Sequence, residues 1–292
     1  MARYDIKHKT TYRYAFPVNV SHHSARLQPL SDDRQSCESF QLNISPSSVD
    51  LIERIDYFGN TMQMFSVQEL HESLEVESRS KVIVTAEALD LSSLDLSCAF
   101  CSEAINNFRF PDNIDAKQFV YATDTTQPTD EVEAFARRFV QPEAPIGKAL
   151  SDMLDAFATE FTFDPTATEV STPITQVLEQ RKGVCQDFAH LMISALRSQG
   201  LAARYVSGYI LTEPPEGQER LEGADASHAW LSVYVPKEGW IDVDPTNRLV
   251  CGDQHIRVSV GRDYFDVSML KGAVTGGGEQ KLSVEVTVRP VD

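Results

Sequence analysis

Gly183-Val184-Cys185-Gln186-Asp187-Phe188-Ala189-His190, carried on through residues 191–200, is the stretch from which the rest of the chain can be placed. Phe188, Leu191, Met192, Ala195, Leu196 and Gln199 recur at three- and four-residue steps, which predicts one helix with a single apolar stripe turned inward. Gly183 sits just before its start and Gly200 just past its end. Cys185 falls in the first turn, where unpaired backbone N–H groups and the positive end of the helix dipole favour thiolate over thiol. A thiolate there is a nucleophile that needs a base, and the base needs a third group to fix its tautomer. His190 lies five residues on, on another side of the helix, and is read as structural.

Downstream, the pattern turns to strands. Residues 204–210 read as a buried strand, and Leu211, Pro214, Pro215, Gly217 and Gly223 belong to a long polar loop of the kind that borders sites. Residues 228–235 form the next strand, with His228, Trp230, Ser232 and Tyr234 on one face; Lys237-Glu238-Gly239 makes the turn. Residues 240–244 return and Pro245 ends them. In such a hairpin His228 and Asp244 lie near the same end of the ladder, so a carboxylate can stand beside an imidazole. Asp242 shares the face of Asp244, and pattern alone does not separate the two. Trp230 and Trp240 are read as core and pocket wall.

Upstream of the cysteine come three helices: one capped by Thr129 with Val132, Phe135, Ala136, Phe139 and Val140 inward, one over about residues 146–161, and a short one opened by Thr172 and Pro173. Residues 106–128 are irregular and polar, and the domain boundary is placed there. The first 90 residues alternate in short runs, with Tyr57-Phe58-Gly59-Asn60 as a hairpin turn, which predicts an antiparallel β-sandwich. Residues 282–288 predict a late strand after Gly276-Gly277-Gly278.

Twenty-six basic against 43 acidic residues give a net charge of −17, which argues against nucleic acid or an anionic membrane as partner. Cys37, Cys98, Cys101, Cys185 and Cys251 are too few and too scattered for a disulfide framework. The Cys98/Cys101 spacing has no second pair to complete a metal site, and His22-His23 has no clustered ligands, so no metal or cofactor is expected. No apolar run reaches membrane-spanning length and the N-terminus has no export pattern; with a reactive thiol, this points to the cytoplasm.

The block around Cys185, Ser227-His228-Ala229-Trp230, and Gly239-Trp240-Ile241-Asp242-Val243-Asp244-Pro245-Thr246 together resemble the three motif blocks of the transglutaminase-like superfamily, more narrowly its bacterial branch of cysteine-protease-like members. The first 90 residues resemble the β-rich region that precedes the core in that branch, and Gly261-Arg262-Asp263-Tyr264-Phe265-Asp266-Val267 resembles its C-terminal part. The resemblance implies an α+β protein, with an N-terminal antiparallel β-sandwich over residues 1–105 and a papain-like, transglutaminase-like catalytic core over 106–292. It implies Cys185 as nucleophile, His228 as general base and acid, and Asp244, rather than Asp242, as orienter. The expected substrate is a peptide or protein amide, attacked through a thioester. Water as acceptor makes a hydrolase and a lysine amine makes a transglutaminase; no D-x-D-x-D-G calcium loop is seen, which favours water. A non-catalytic binding scaffold is the rival from another class. The backbone N–H of Cys185 is the natural first oxyanion donor; Gln180 is within reach in sequence as a second.

Overall fold

Arg3, Asp5, Lys7 and Lys9 alternate with less polar residues, and with the aromatic and β-branched residues that follow they make one long strand. The computed structural model describes residues 1–107, 111–212, 223, 225 and 227–291, and its first strand, β1, runs over Ala2–Ala25. Tyr4, Ile6, His8 and Thr10 turn inward, and the residues between them turn outward. Pro17, which has no N–H to give a ladder, lies where the register with β5 shifts, between Arg13 and Val18. His22 and His23, adjacent on β1, point to opposite faces. His22 is exposed against Ser66 Oγ, while His23 is buried and stacked on Phe65.

Strands β2 (Gln35–Ser45), β3 (Val49–Ile55), β4 (Thr61–Val67) and β5 (His71–Val84) complete the N-terminal part, in the order β2-β5-β1-β4-β3. β5 is a single strand of 14 residues, longer than the short runs the sequence predicts. The last strands of the chain, β13 (Leu270–Gly276) and β14 (Gln280–Val291), also pair antiparallel with β1. The boundary expected at residues 105 and 106 therefore does not divide the sheets. Alternation in the tail turns Val286 and Val288 toward Tyr4, Ile6, Val82 and Val84, and this layer also takes in Tyr209, Ile256 and Val258 of the second sheet.

Short helix α1 (Cys98–Ala104) lies where no element was expected and α2 (Pro111–Lys117) in the segment read as irregular, because seven residues carry only two turns of signal. Then follow α3 (Asp130–Ala136), α4 (Ile146–Glu160), β6 (Thr162–Phe163), α5 (Ile174–Gln180), β7 (Lys182–Gly183) and α6 (Cys185–Ser198). The second sheet contains β8 (Ala203–Ile210), β9 (Ser227–Val235), β10 (Gly239–Asp244), β11 (Leu249–Val250) and β12 (His255–Gly261), with a single turn of helix, α7 (Tyr264–Val267), after it. Its order is β11-β10-β9-β8-β12.

Helix α6 differs from the single stripe its sequence predicts: every residue from 187 to 197 is buried. It lies in the main core between β8 and β9 on one side and residues of α3 and α5, such as Phe135 and Val177, on the other. Even Arg197 is enclosed, its guanidinium donating to the carbonyls of Phe119, Ala203 and Arg262 and to Thr126 Oγ1. Burial pulls its pKa down to about 10. The helix ends with Gly200 at φ +77°, the N–H of Gly200 reaching Arg197 O and that of Leu201 reaching Leu196 O, so the last carbonyls are satisfied.

Two buried amides join the N-terminal part to the outer edge of β12. Asn60 donates through Nδ2 to Val260 O and accepts from Val260 N–H, both at 2.8 Å. Gln35 does the same to Arg257, again at 2.8 Å in each direction. A strand edge that would otherwise stand unpaired is thereby closed by side chains.

Candidate active site

Cys185 is the first residue of α6, so its backbone N–H is among those the helix leaves without an internal partner. The preceding turn is held by Asp187, whose Oδ2 accepts from Val184 N–H at 2.8 Å and from Thr168 Oγ1 at 2.6 Å. Only glycine leaves room for that carboxylate at residue 183, where an added Cβ would stand 2.8 Å from Asp187 Oδ2. The residues Gly183 and Asp187 thus fix where the sulfur sits.

His228 opens β9 and Asp244 closes β10. The ladder pairs Asp242 with Ser232 and Val243 with Leu231, which puts His228 and Asp244 on a diagonal of the same face. His228 Nε2 lies 2.7 Å from Asp244 Oδ2, leaving Nδ1 as the nitrogen for the Cys185 thiol, with which the ring interacts. Burial works against a charge on this imidazole, but the hydrogen bonds to Asp244 and Cys185 outweigh it and raise its pKa to about 10.

Asp244 is fully buried and surrounded by donors. Oδ2 also receives Asn247 Nδ2 at 2.7 Å and His255 Nε2 at 3.2 Å, and Oδ1 accepts from the N–H groups of Thr246 and Asn247. Burial opposes its charge, yet the two histidines hold the carboxyl well below its ordinary range. Asp242, two residues away, faces different partners: Trp230 Nε1 at 3.1 Å, Ser232 Oγ at 2.6 Å and Arg257 Nε at 3.8 Å. The geometry separates the two aspartates where the sequence pattern could not.

Among the described residues, His228, Asp244 and His255 are also the group whose ligand atoms come close enough, within 4.8 Å, to consider a metal. The 2.7 Å separation of His228 and Asp244 is that of a hydrogen bond, shorter than the roughly 3.3 Å between two ligands of one tetrahedral zinc.

A cavity of about 180 Å³ opens over the sulfur. Cys185, Tyr205, Ser207, His228 and Tyr264 line one side, and His8, Thr10 and Tyr12 of β1 with Leu282 and Val284 of β14 line the other. The N-terminal sheet is thus a wall of the site. A larger hollow of about 760 Å³ lies elsewhere, on the sheet among Lys7, Arg79 and Lys81, and its lining includes neither cysteine nor histidine.

His190 is buried beside Tyr205, its Nε2 accepting from Tyr264 N–H at 3.1 Å, and burial lowers its pKa to about 4. Trp230 is fully buried under His255, ring to ring at 5.1 Å, whereas Trp240 lies away from the cavity beneath Arg204. Gln180 ends α5 exposed and does not line the cavity. Of the expected site-bordering loop, Pro214, Pro215 and Gly217 lie outside the described residues. Its described members Gly223 and Asp225 bond to β14.

Sequence reasoning missed His255, Asn247 and Tyr205. A histidine opening a strand and an asparagine three residues after an aspartate were the available signals, but neither indicates which carboxylate it will meet.

Comparison with known proteins gives the site a family context. Residues 4–83 match the bacterial transglutaminase-like N-terminal region, and residues 133–245 match the transglutaminase-like superfamily. The chain is 36% identical to an uncharacterized protein of Mycobacterium tuberculosis, over 99% of this chain and 93% of the relative. A shorter match, 34% identical over 107 residues, covers 36% of this chain and 16% of a protein-glutamine gamma-glutamyltransferase of Pseudomonas aeruginosa. Among solved structures, a provisionally named cysteine protease of Cytophaga hutchinsonii shares the fold, with a TM-score of 0.79 over 100% of this chain and 91% of that one at 19% identity.

Proposed function

The chain belongs to the transglutaminase-like superfamily, and from that premise we propose that it is a thiol-dependent amide hydrolase working through a thioester on Cys185. The observation that carries this reading is the shared cavity: a cysteine at a helix N-terminus, and a histidine whose far nitrogen is fixed 2.7 Å from a buried carboxylate. Cys185 gives its proton to His228 and its sulfur attacks the amide carbonyl carbon, forming the C–S bond as the carbonyl π pair moves onto oxygen. As the C–N bond breaks, His228 gives its proton to the departing amine. Water then enters, surrenders a proton to His228, and displaces the sulfur to release the acid. Asp244 keeps the imidazole oriented and stabilises its protonated form.

An amine in place of water would make the protein an acyltransferase, and the match to the Pseudomonas gamma-glutamyltransferase supports that second reading. Water is favoured because, among the described residues, the lining of the cavity forms no enclosed aromatic tunnel around the sulfur. A scaffold without catalysis has less support, since the cysteine, histidine and aspartate are all present and Asp244 is held by five donors.

The test is to incubate the protein with a peptide library, with and without an added primary amine, and read products by mass. Hydrolysed peptides that vanish with Cys185→Ala support hydrolysis. Amine adducts in preference to acids would establish transfer, and products unaffected by Cys185→Ala would overturn both.

A further inference from the structure

An acyl transfer of the kind proposed above concentrates negative charge on the carbonyl oxygen as the tetrahedral intermediate forms, and one backbone N–H is rarely sufficient to hold it. The N–H of Cys185 supplies one donor. Among the described residues that line the cavity, the buried hydroxyls of Tyr205 and Ser207 make no hydrogen bond, and of the two the phenol is the more acidic and so the stronger donor. Tyr205 on β8 is 2% exposed, its ring packed in the main core beside His190. It nonetheless lines the cavity together with Cys185 and His228, and its hydroxyl makes no hydrogen bond among the described residues. Tyr209, two turns of the pleat along on the same face, shows the contrast: its hydroxyl is 3.0 Å from His8 Nδ1.

Resting on the thioester reading, we propose that the Tyr205 hydroxyl is the second oxyanion donor, closing on the carbonyl oxygen opposite the N–H of Cys185. A phenol is suited to this, since it donates one hydrogen bond from a rigid ring whose position the core fixes. Burial, and next the Cys185 sulfur, push its pKa well up, so the proton stays on oxygen while the sulfur reacts. The bonds made and broken are those of the thioester cycle. Tyr205 neither gains nor loses a proton; its hydrogen bond shortens onto the oxyanion and relaxes as the carbonyl returns. The assignment replaces Gln180, which is exposed and outside the cavity.

The experiment compares wild type with Tyr205→Phe, which keeps the ring in the core. Turnover of a peptide amide should fall about 10²-fold in kcat with little change in KM. A peptide aldehyde, which forms a tetrahedral adduct on Cys185, should lose affinity in parallel, while the pH profile of iodoacetamide alkylation of Cys185 should not move. Turnover within threefold of wild type, or an aldehyde affinity left intact, overturns the proposal. So does a shifted alkylation profile with unchanged aldehyde affinity, which would mean that the hydroxyl holds the thiolate instead. Absence of any acyl or hemithioacetal adduct on wild-type Cys185 would instead overturn the thioester reading itself, and Tyr205 with it.

Discussion

Two aspartates two residues apart on β10 are chemically alike and do opposite work. Asp244 accepts from two histidines, and its replacement by Asn would remove the charge that stabilises a protonated His228. We expect Asp244→Asn to lower kcat by on the order of 10²-fold or more, and to move the alkaline limb of the activity profile to lower pH, because the imidazole then loses its proton sooner. Asp242 balances the buried cations Arg204 and Arg257, whose field holds its carboxyl below the ordinary range against the opposing effect of burial. Asp242→Asn should therefore cost stability, about 3 kcal/mol in urea unfolding, with a milder effect on kcat. The reverse order of kinetic effects would reassign the orienter. Stability should follow pH with a definite sign. His228 is raised from 6.5 to about 10, so its contribution is full below about pH 6.5 and is lost as pH rises toward 10. Asp244 is depressed from 3.8, so its share is present above about pH 4 and is lost as pH falls further. The urea midpoint of wild type relative to Asp244→Asn, measured across pH, should narrow at both ends. Cys185, His228 and Asp244 stand at the ends of elements that periodicity makes legible, but their roles, and the choice of Asp244 over Asp242, came from the resemblance of the motif blocks and not from the pattern. His255 could not be picked out, since its role depends on β12 arriving beside β8, a contact no local pattern encodes.

At the scale of elements, the edge of β12 is closed by Asn60 and Gln35 rather than by another strand. Asn60→Ala would strand the N–H and C=O of Val260 in a buried layer. The expected loss is about 2 kcal/mol, seen as a lower urea midpoint, with the reactivity of Cys185 toward iodoacetamide retained below the transition. An unchanged midpoint would mean that water satisfies both groups. The hairpin turn at Tyr57-Phe58-Gly59-Asn60 was readable from the residues that favour such turns, and Gly59 does take φ +86°. Its partner two hundred residues on was not readable. Likewise the length of α4 and the end of α6 at Gly200 follow from periodicity and capping. The full burial of α6 does not, because it comes from β9 packing on one side and α3 on the other. Helices α1 and α2 are too short for a period to declare itself.

Taken whole, the molecule returns its last two strands to its first, so that β1 and β14 wall the cavity above Cys185. The chemistry and the N-terminal sheet are therefore one structure, and Leu282→Asp on that wall should raise KM for peptide substrates with little change in kcat. A net charge of −17 predicts faster capture of cationic peptides, with kcat/KM falling as salt rises; a flat salt profile would remove steering from the account. Among the described residues no helix is long and apolar enough to cross a membrane. The decisive measurement is the intact mass of the protein during turnover of a peptide ester or amide at acid quench. An added acyl mass that maps to the peptide containing Cys185, and disappears in Cys185→Ala, is the result predicted. Substrate consumption with no acyl group on that sulfur at any time point, in wild type or in His228→Ala, would contradict it.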